Sequence, residues 1–167
     1  MKVISIIGEK KSGKTTLIED LIMRLRDYGS VGCIKHAQEL DLDESKDTTR
    51  LFNAGAEVVI GSSEHVTLKL SRSKSKSLNQ NLNLKEQLKD MADSGMDFVL
   101  VEGFKSSDLP KIALSTLPDR GRDGDGDGDG DGGDGEITNV VMRLSGNPKS
   151  YLQDIVELVL KIEDYEV

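Results

Sequence analysis

Tryptophan is absent from this chain of 167 residues, and three Phe with three Tyr bring the aromatic share to only 4%. Proteins that hold single-stranded nucleic acid stack bases on aromatic side chains set among basic ones. No such stripe exists here, so nucleic acid is not an expected partner. The one cysteine, Cys33, permits neither an internal disulfide nor a cysteine-rich metal site. It sits in an apolar, strand-like run and is expected to be a buried, reduced thiol. Two histidines, His36 and His65, are too few for the Cys or His cluster of a metal-insertion protein. No apolar run approaches the ~20 residues of a membrane span. The opening run at 3–7, broken by Gly8, is too short for the hydrophobic region of a signal peptide. The expectation is a cytoplasmic protein with no membrane partner.

The size fits one domain of ordinary dimensions, with 36% hydrophobic and 31% charged residues to build a core and a solvated surface. The formal charge of −8 is unevenly spread. Residues 121–135 hold six Asp and one Arg, which leaves the rest of the chain nearly neutral. In that tract Asp alternates with Gly, with neither the bidentate acidic ligand nor the apolar repeat positions of calcium-binding loops. Like-charged, glycine-rich chain disfavours order. The predicted organisation is therefore a single domain over 1–167 carrying a disordered Asp-Gly insertion at 121–135.

Hydrophobic periodicity orders the remainder. A β-branched run at 3–7 reads as a strand covered on both faces of a parallel sheet. Leu17, Leu21 and Leu25, flanked by Ile18 and Ile22, form a wide helical stripe over 15–28, stopped by Gly29. A strand at 31–35 completes a βαβ unit. Further on, the pattern predicts a short helix at 47–54, two strands at 58–60 and 66–70 joined by a turn, and an exposed loop at 71–83. A helix through Leu84, Leu88 and Met91, a strand at 98–101, strands at 111–115 and 137–142, and a closing helix over 151–162 follow. With the phosphate-loop pattern G-x-x-x-x-G-K-[ST] at residues 8–15 between the first strand and helix, the fold class is α/β: a three-layer phosphate-loop (P-loop) NTPase fold, its sheet mainly parallel with helices on both faces and a short antiparallel extension.

Gly8-Glu9-Lys10-Lys11-Ser12-Gly13-Lys14-Thr15 matches G-x-x-x-x-G-K-[ST], and it lies where that pattern has a mechanism, between a buried strand and an amphipathic helix. Gly8 and Gly13 let the backbone curl, so the N–H groups of Lys10, Lys11 and Ser12 can face an anion at the helix N-terminus. Lys14 is expected to reach the β and γ phosphates, Thr15 to ligate Mg²⁺, and Thr16 to touch the α phosphate. Glu102, behind four apolar residues, is the candidate acid of the magnesium shell and, with Lys14, a candidate catalytic residue. Lys35 and His36 end a strand on the same edge, where ligands of open α/β sheets bind. Asp41 and Asp43 alternate and can join the metal shell. For Asp47 and Thr48, helix capping is an equal alternative.

These residues resemble the MobB family, the molybdopterin-guanine dinucleotide biosynthesis protein B or adaptor family. The resemblance rests on residues 8–16, Ile34-Lys35-His36-Ala37, Lys46-Asp47-Thr48 with Arg50, Ala54-Gly55-Ala56, Val99-Leu100-Val101-Glu102-Gly103-Phe104-Lys105 and Pro110-Lys111-Ile112. It spans residues 1 to about 115. It implies a GTP-binding, weakly hydrolysing homodimer that assists the MobA-like guanylyltransferase attaching GMP to molybdopterin. It also implies that Lys35, His36, Asp41, Asp43, Lys46, Asp47, Glu102 and Lys105 line a cleft for nucleotide or for molybdopterin. Two departures are visible. No second histidine follows near Gln38 or Glu39, and Ser45 stands where a glycine commonly precedes the Lys-Asp pair. A guanine preference over adenine comes from the resemblance alone, since no Asn-Lys-x-Asp string follows the later strands. A small-molecule kinase and a nucleotide-stabilised scaffold without turnover are the competing readings.

Overall fold

A computed structural model describes residues 1–37, 42–72, 80–115 and 137–166. Asp41 and the Asp-Gly tract lie outside the described residues. The described chain forms two compact units, one built from 1–38 with 79–167 and the other from 39–78.

The first unit is organised by strand β1 (Lys2–Gly8), whose residues 3–7 are all buried. It is followed by helix α1 (Lys14–Leu25) and strand β2 (Val31–Lys35). Helix α1 ends three residues before the predicted boundary, and turns then carry the chain to Gly29. A Cβ at Gly29 would lie 2.5 Å from a carboxylate oxygen of Asp97, which is why the chain needs glycine there. The predicted βαβ unit is not a pair of adjacent strands. A later strand of the first unit, Phe98–Glu102, lies between β1 and β2 and is parallel to both.

In the second unit, helix α2 (Asp47–Asn53) precedes strands β3 (Val58–Ser62) and β4 (Thr67–Ser71), which form their own antiparallel pair. Lys46 occupies the N-cap position of α2, and no side-chain cap is made. Asp47 lies instead in the first turn, pairs with Arg50 at 3.1 Å and complements the helix dipole. Arg72 closes the hairpin, with its guanidinium 4.6 Å from the ring centroid of Phe52 and a 2.7 Å hydrogen bond to the Phe52 carbonyl.

Back in the first unit, helix α3 (Gln80–Asp93) begins inside the segment predicted as loop. Strands β5 (Phe98–Glu102), β6 (Lys111–Ser115) and β7 (Val140–Ser145) lead to a 3-10 turn at Pro148–Tyr151 and helix α4 (Leu152–Lys161). The five strands form one sheet in the order β2-β5-β1-β6-β7, and every pairing is parallel. Leu17, Leu21 and Leu25 of α1 and Ile155, Val156 and Val159 of α4 bury one face against Ile4, Leu100 and Ile112. Leu84 and Leu88 of α3 cover the other face against Val3, Val99 and Val101. Among the described residues, no helix is long and apolar enough to cross a membrane.

Two expectations fail at the sheet edges, for one reason. An edge strand is covered incompletely, so it alternates instead of running apolar throughout. On β2, Gly32 and Ile34 turn inward while Cys33 is exposed. The thiol pKa is nonetheless raised, first by partial desolvation and then by the charge of Glu102, with Lys35 opposing, so Cys33 is a weak nucleophile. On β7 the strand starts at Val140 instead of Ile137. Ile137 and Val141 are exposed, and Leu144 is the residue that reaches the core.

At the amino end of the sheet, Asp97 accepts hydrogen bonds from the Ser30 amide at 2.7 Å and the Ser30 hydroxyl at 2.9 Å. These bonds, the amide first, hold its carboxyl below the usual value of 3.8. A carboxylate with a lowered folded-state pKa stabilises the fold above its unfolded value, and that contribution is lost as pH falls through the folded value. Asp97→Asn is therefore expected to lower the urea midpoint at pH 7. The difference from wild type should shrink below pH 3.8 and vanish under still more acid conditions. A pH-independent difference would contradict the assignment.

Candidate phosphate-binding site

The parallel register sets Ile6 of β1, Glu102 of β5 and Lys35 of β2 side by side at the carboxyl edge of the sheet. The chain leaves β1 at Gly8, turns through Lys11 and Gly13, both in left-handed backbone (φ 64° and 88°), and enters α1. Gly13 tolerates that φ without strain. Gly8 is needed for space, because a Cβ there would lie 2.8 Å from the Ser12 hydroxyl and 2.9 Å from the Leu114 carbonyl oxygen. The Ser12 amide bonds the Glu9 carbonyl at 3.2 Å, closing the bend. The Ser12 hydroxyl, in a residue only 7% exposed, has no hydrogen-bond partner among the described residues. A buried polar atom in that condition is costly unless something else meets it.

Lys14 folds back over the bend, donating from Nζ to the carbonyls of Gly8 at 2.9 Å and Glu9 at 2.6 Å. The Thr15 hydroxyl donates to Glu102 Oε2 at 3.1 Å, and Lys35 Nζ lies 3.8 Å from the same oxygen. Glu102 is the last residue of β5 and is not placed beyond it. The His36 amide donates to the Glu102 carbonyl at 3.0 Å, and its ring leans on Phe104 with centroids 4.7 Å apart. Lys105 follows in the same turn and is half-buried, while Lys10, Lys11 and Thr16 are exposed. Lys14, Thr15, Lys35, His36 and Glu102 thus gather at one edge.

Asp43 belongs to the second unit, where its carboxylate accepts from the Ser45 amide at 3.0 Å and the Ser45 hydroxyl at 2.5 Å. These bonds, with help from Lys46, lower its pKa. Among the described residues, no group of three or more His, Cys, Asp or Glu forms a ready-made metal site. Magnesium does not require one. It takes one or two protein oxygens and completes its shell with phosphate and water. The adjacent oxygens of Thr15 and Glu102 suit that demand.

Sequence reasoning missed three supports of this edge. Phe104 sits beneath His36, Ser5 donates from Oγ to the Gly103 carbonyl at 2.7 Å, and Lys149 pairs with Asp20 at 3.1 Å. The last fastens the 3-10 turn to α1, where Pro148 lies within 3.9 Å of a Cβ placed on Gly13. Ser5 alone carried a signal, as the single polar residue in an apolar strand.

An all-parallel sheet covered on both faces, with a glycine-bounded bend running from its inner strand into a helix, defines the P-loop NTPase class. The family model for molybdopterin guanine dinucleotide synthesis protein B, MobB, matches residues 3–121, and the chain belongs to that family. It is 36% identical over 121 residues to a Methanocaldococcus jannaschii protein bearing the name of a molybdopterin-guanine dinucleotide biosynthesis adapter protein, covering 68% of this chain and 47% of that one. The Haemophilus influenzae adapter protein of that name is 36% identical over 117 residues, 67% of this chain and 62% of its own. The chain thus spans between about half and two-thirds of these relatives. The crystal structure of a MobB homologue from Bacillus stearothermophilus superposes with a TM-score of 0.53 at 27% identity, covering 70% of this chain and 66% of that one.

Proposed function

We propose that this chain binds magnesium GTP in the 8–15 bend and hydrolyses it slowly. In this reading it acts in the cytoplasm as an adaptor in molybdenum-cofactor biosynthesis, assisting a guanylyltransferase that attaches GMP to molybdopterin. The observation that carries the nucleotide reading is the buried, unpartnered Ser12 hydroxyl inside a bend whose lysine rests on its own loop carbonyls. Both are groups that a phosphate would engage. Thr15 and Glu102 would hold magnesium, which supplies charge neutralisation on the β and γ phosphates. Lys35, His36 and Lys105 would face the nucleotide or a bound molybdopterin. Among the described residues no glutamine or arginine is placed to speed attack by water, in keeping with slow turnover. The adaptor role follows the names of the relatives.

A second copy of this chain is the proposed partner of the hairpin. Val58 and Ile60 are 51% and 62% exposed, and Leu68 is exposed as well, on a two-stranded sheet with open edges. Calorimetric titration with magnesium GTP, magnesium ATP and molybdopterin in turn tests the whole reading. GTP is expected to bind more tightly than ATP, and the protein to raise guanylyltransferase turnover. Absence of any nucleotide binding would remove it.

A further inference from the structure

Lys111 is fully buried (0% exposed), and all three of its hydrogen-bond acceptors are backbone carbonyls: Ser107, Leu109 at 3.1 Å and Thr138 at 3.0 Å. Buried lysines are rare, because removing an ammonium from water is expensive unless it is well solvated by protein. Here the solvating groups belong to the loop between β5 and β6, together with the residue two before β7.

That loop begins in the site. Gly103 and Phe104 both lie in left-handed backbone, with φ 95° and 57°. For phenylalanine this conformation is strained and persists only where the surroundings over-determine it. The fastenings are continuous. The Gly103 amide bonds the Ile6 carbonyl at 3.1 Å, and the Gly103 carbonyl accepts from Ser5 Oγ. The Phe104 carbonyl accepts from the Ser107 amide at 3.0 Å and the Ser107 hydroxyl at 2.8 Å. The Ser107 and Leu109 carbonyls end on Lys111, the Asp108 carbonyl on Asn139 Nδ2 at 2.8 Å, and the Pro110 carbonyl on the Ser5 amide at 2.9 Å. Only the Lys111 ammonium in this set carries a charge, and among the described residues it alone joins the loop to Thr138.

We propose that Lys111 is a positioning residue: a tethered cation that holds the turn after Glu102 in its strained form, so that Phe104 backs the His36 ring and Lys105 is presented at the phosphate edge. The consequence for binding rests on the nucleotide reading above, whereas the consequence for the turn does not. Burial lowers the pKa of Lys111 and Asp108 opposes that shift, as befits an ammonium surrounded mainly by neutral oxygens.

Lys111→Met and Lys111→Ala test the proposal. In nucleotide-free protein, amide exchange at Ser107 is expected to quicken about tenfold or more in Lys111→Met, with amides of α1 and the centre of β1 unchanged. If the turn is then competent about a tenth of the time, the dissociation constant for magnesium GTP rises about tenfold. Lys111→Ala leaves room for a free alkylammonium on the three carbonyls. Ethylammonium is expected to restore turn protection and affinity, and tetramethylammonium, which has no N–H donor, is not. Unchanged exchange at Ser107 in folded Lys111→Met would overturn the proposal. Should that variant not fold, refolding of Lys111→Ala with and without ethylammonium decides: recovery supports the role and no recovery refutes it. If wild type binds no magnesium nucleotide, the nucleotide reading falls, and exchange still decides the role of Lys111.

Discussion

Lys14→Ala is expected to weaken magnesium-nucleotide binding by at least ~100-fold, through loss of a charge-assisted contact to phosphate worth several kcal/mol. Its melting temperature should stay close to that of wild type. Among its contacts Lys14 donates to the loop carbonyls of Gly8 and Glu9, and such bonds contribute only ~1 kcal/mol each where water can replace the donor. On binding, the same ammonium exchanges neutral oxygens for anionic ones, so nearly all of its effect is expressed in the complex. Isothermal titration beside a thermal melt separates the two. Retained affinity would show that the bend does not hold the triphosphate, whatever the family. A collapsed melting temperature would show that the lysine is structural.

Leu100→Ala carries the largest expected effect on stability, a loss of about 2–5 kcal/mol. Leu100 is fully buried on β5, which has strands hydrogen-bonded on both sides, and it packs beneath α1. Truncation leaves a cavity that a strand held on both edges cannot collapse around. Met23→Ala, on the exposed face of α1, is the control and should change stability by no more than ~0.5 kcal/mol. A Leu100→Ala effect no larger than this would mean that the sheet interior is not close-packed.

The bend and its helix were legible because their signals are local: glycines at 8 and 13, the apolar run before them and the leucine stripe after. Glu102 was legible for the same reason, as a charge closing an apolar strand. Strand order was not, because β5 enters between β1 and β2 from more than sixty residues further along the chain, and nothing local encodes that pairing. Cys33 and the start of β7 misled because an edge strand and an inner strand look alike over five residues. Lys111 was read as part of a strand and of one string carrying the family resemblance, and its burial was not legible, since lysine is ordinarily solvent-facing and its carbonyl partners lie in the preceding loop and before β7.

The placement of β5 also has a kinetic meaning. Among the described residues β1 pairs only with β5 and β6, so during synthesis it waits for a partner about ninety residues later. Until Phe98–Glu102 emerges, the four apolar side chains of Val3, Ile4, Ile6 and Ile7 remain without their sheet partner. The nascent chain should therefore depend on chaperone protection during synthesis, and its refolding in vitro should be slow for its size.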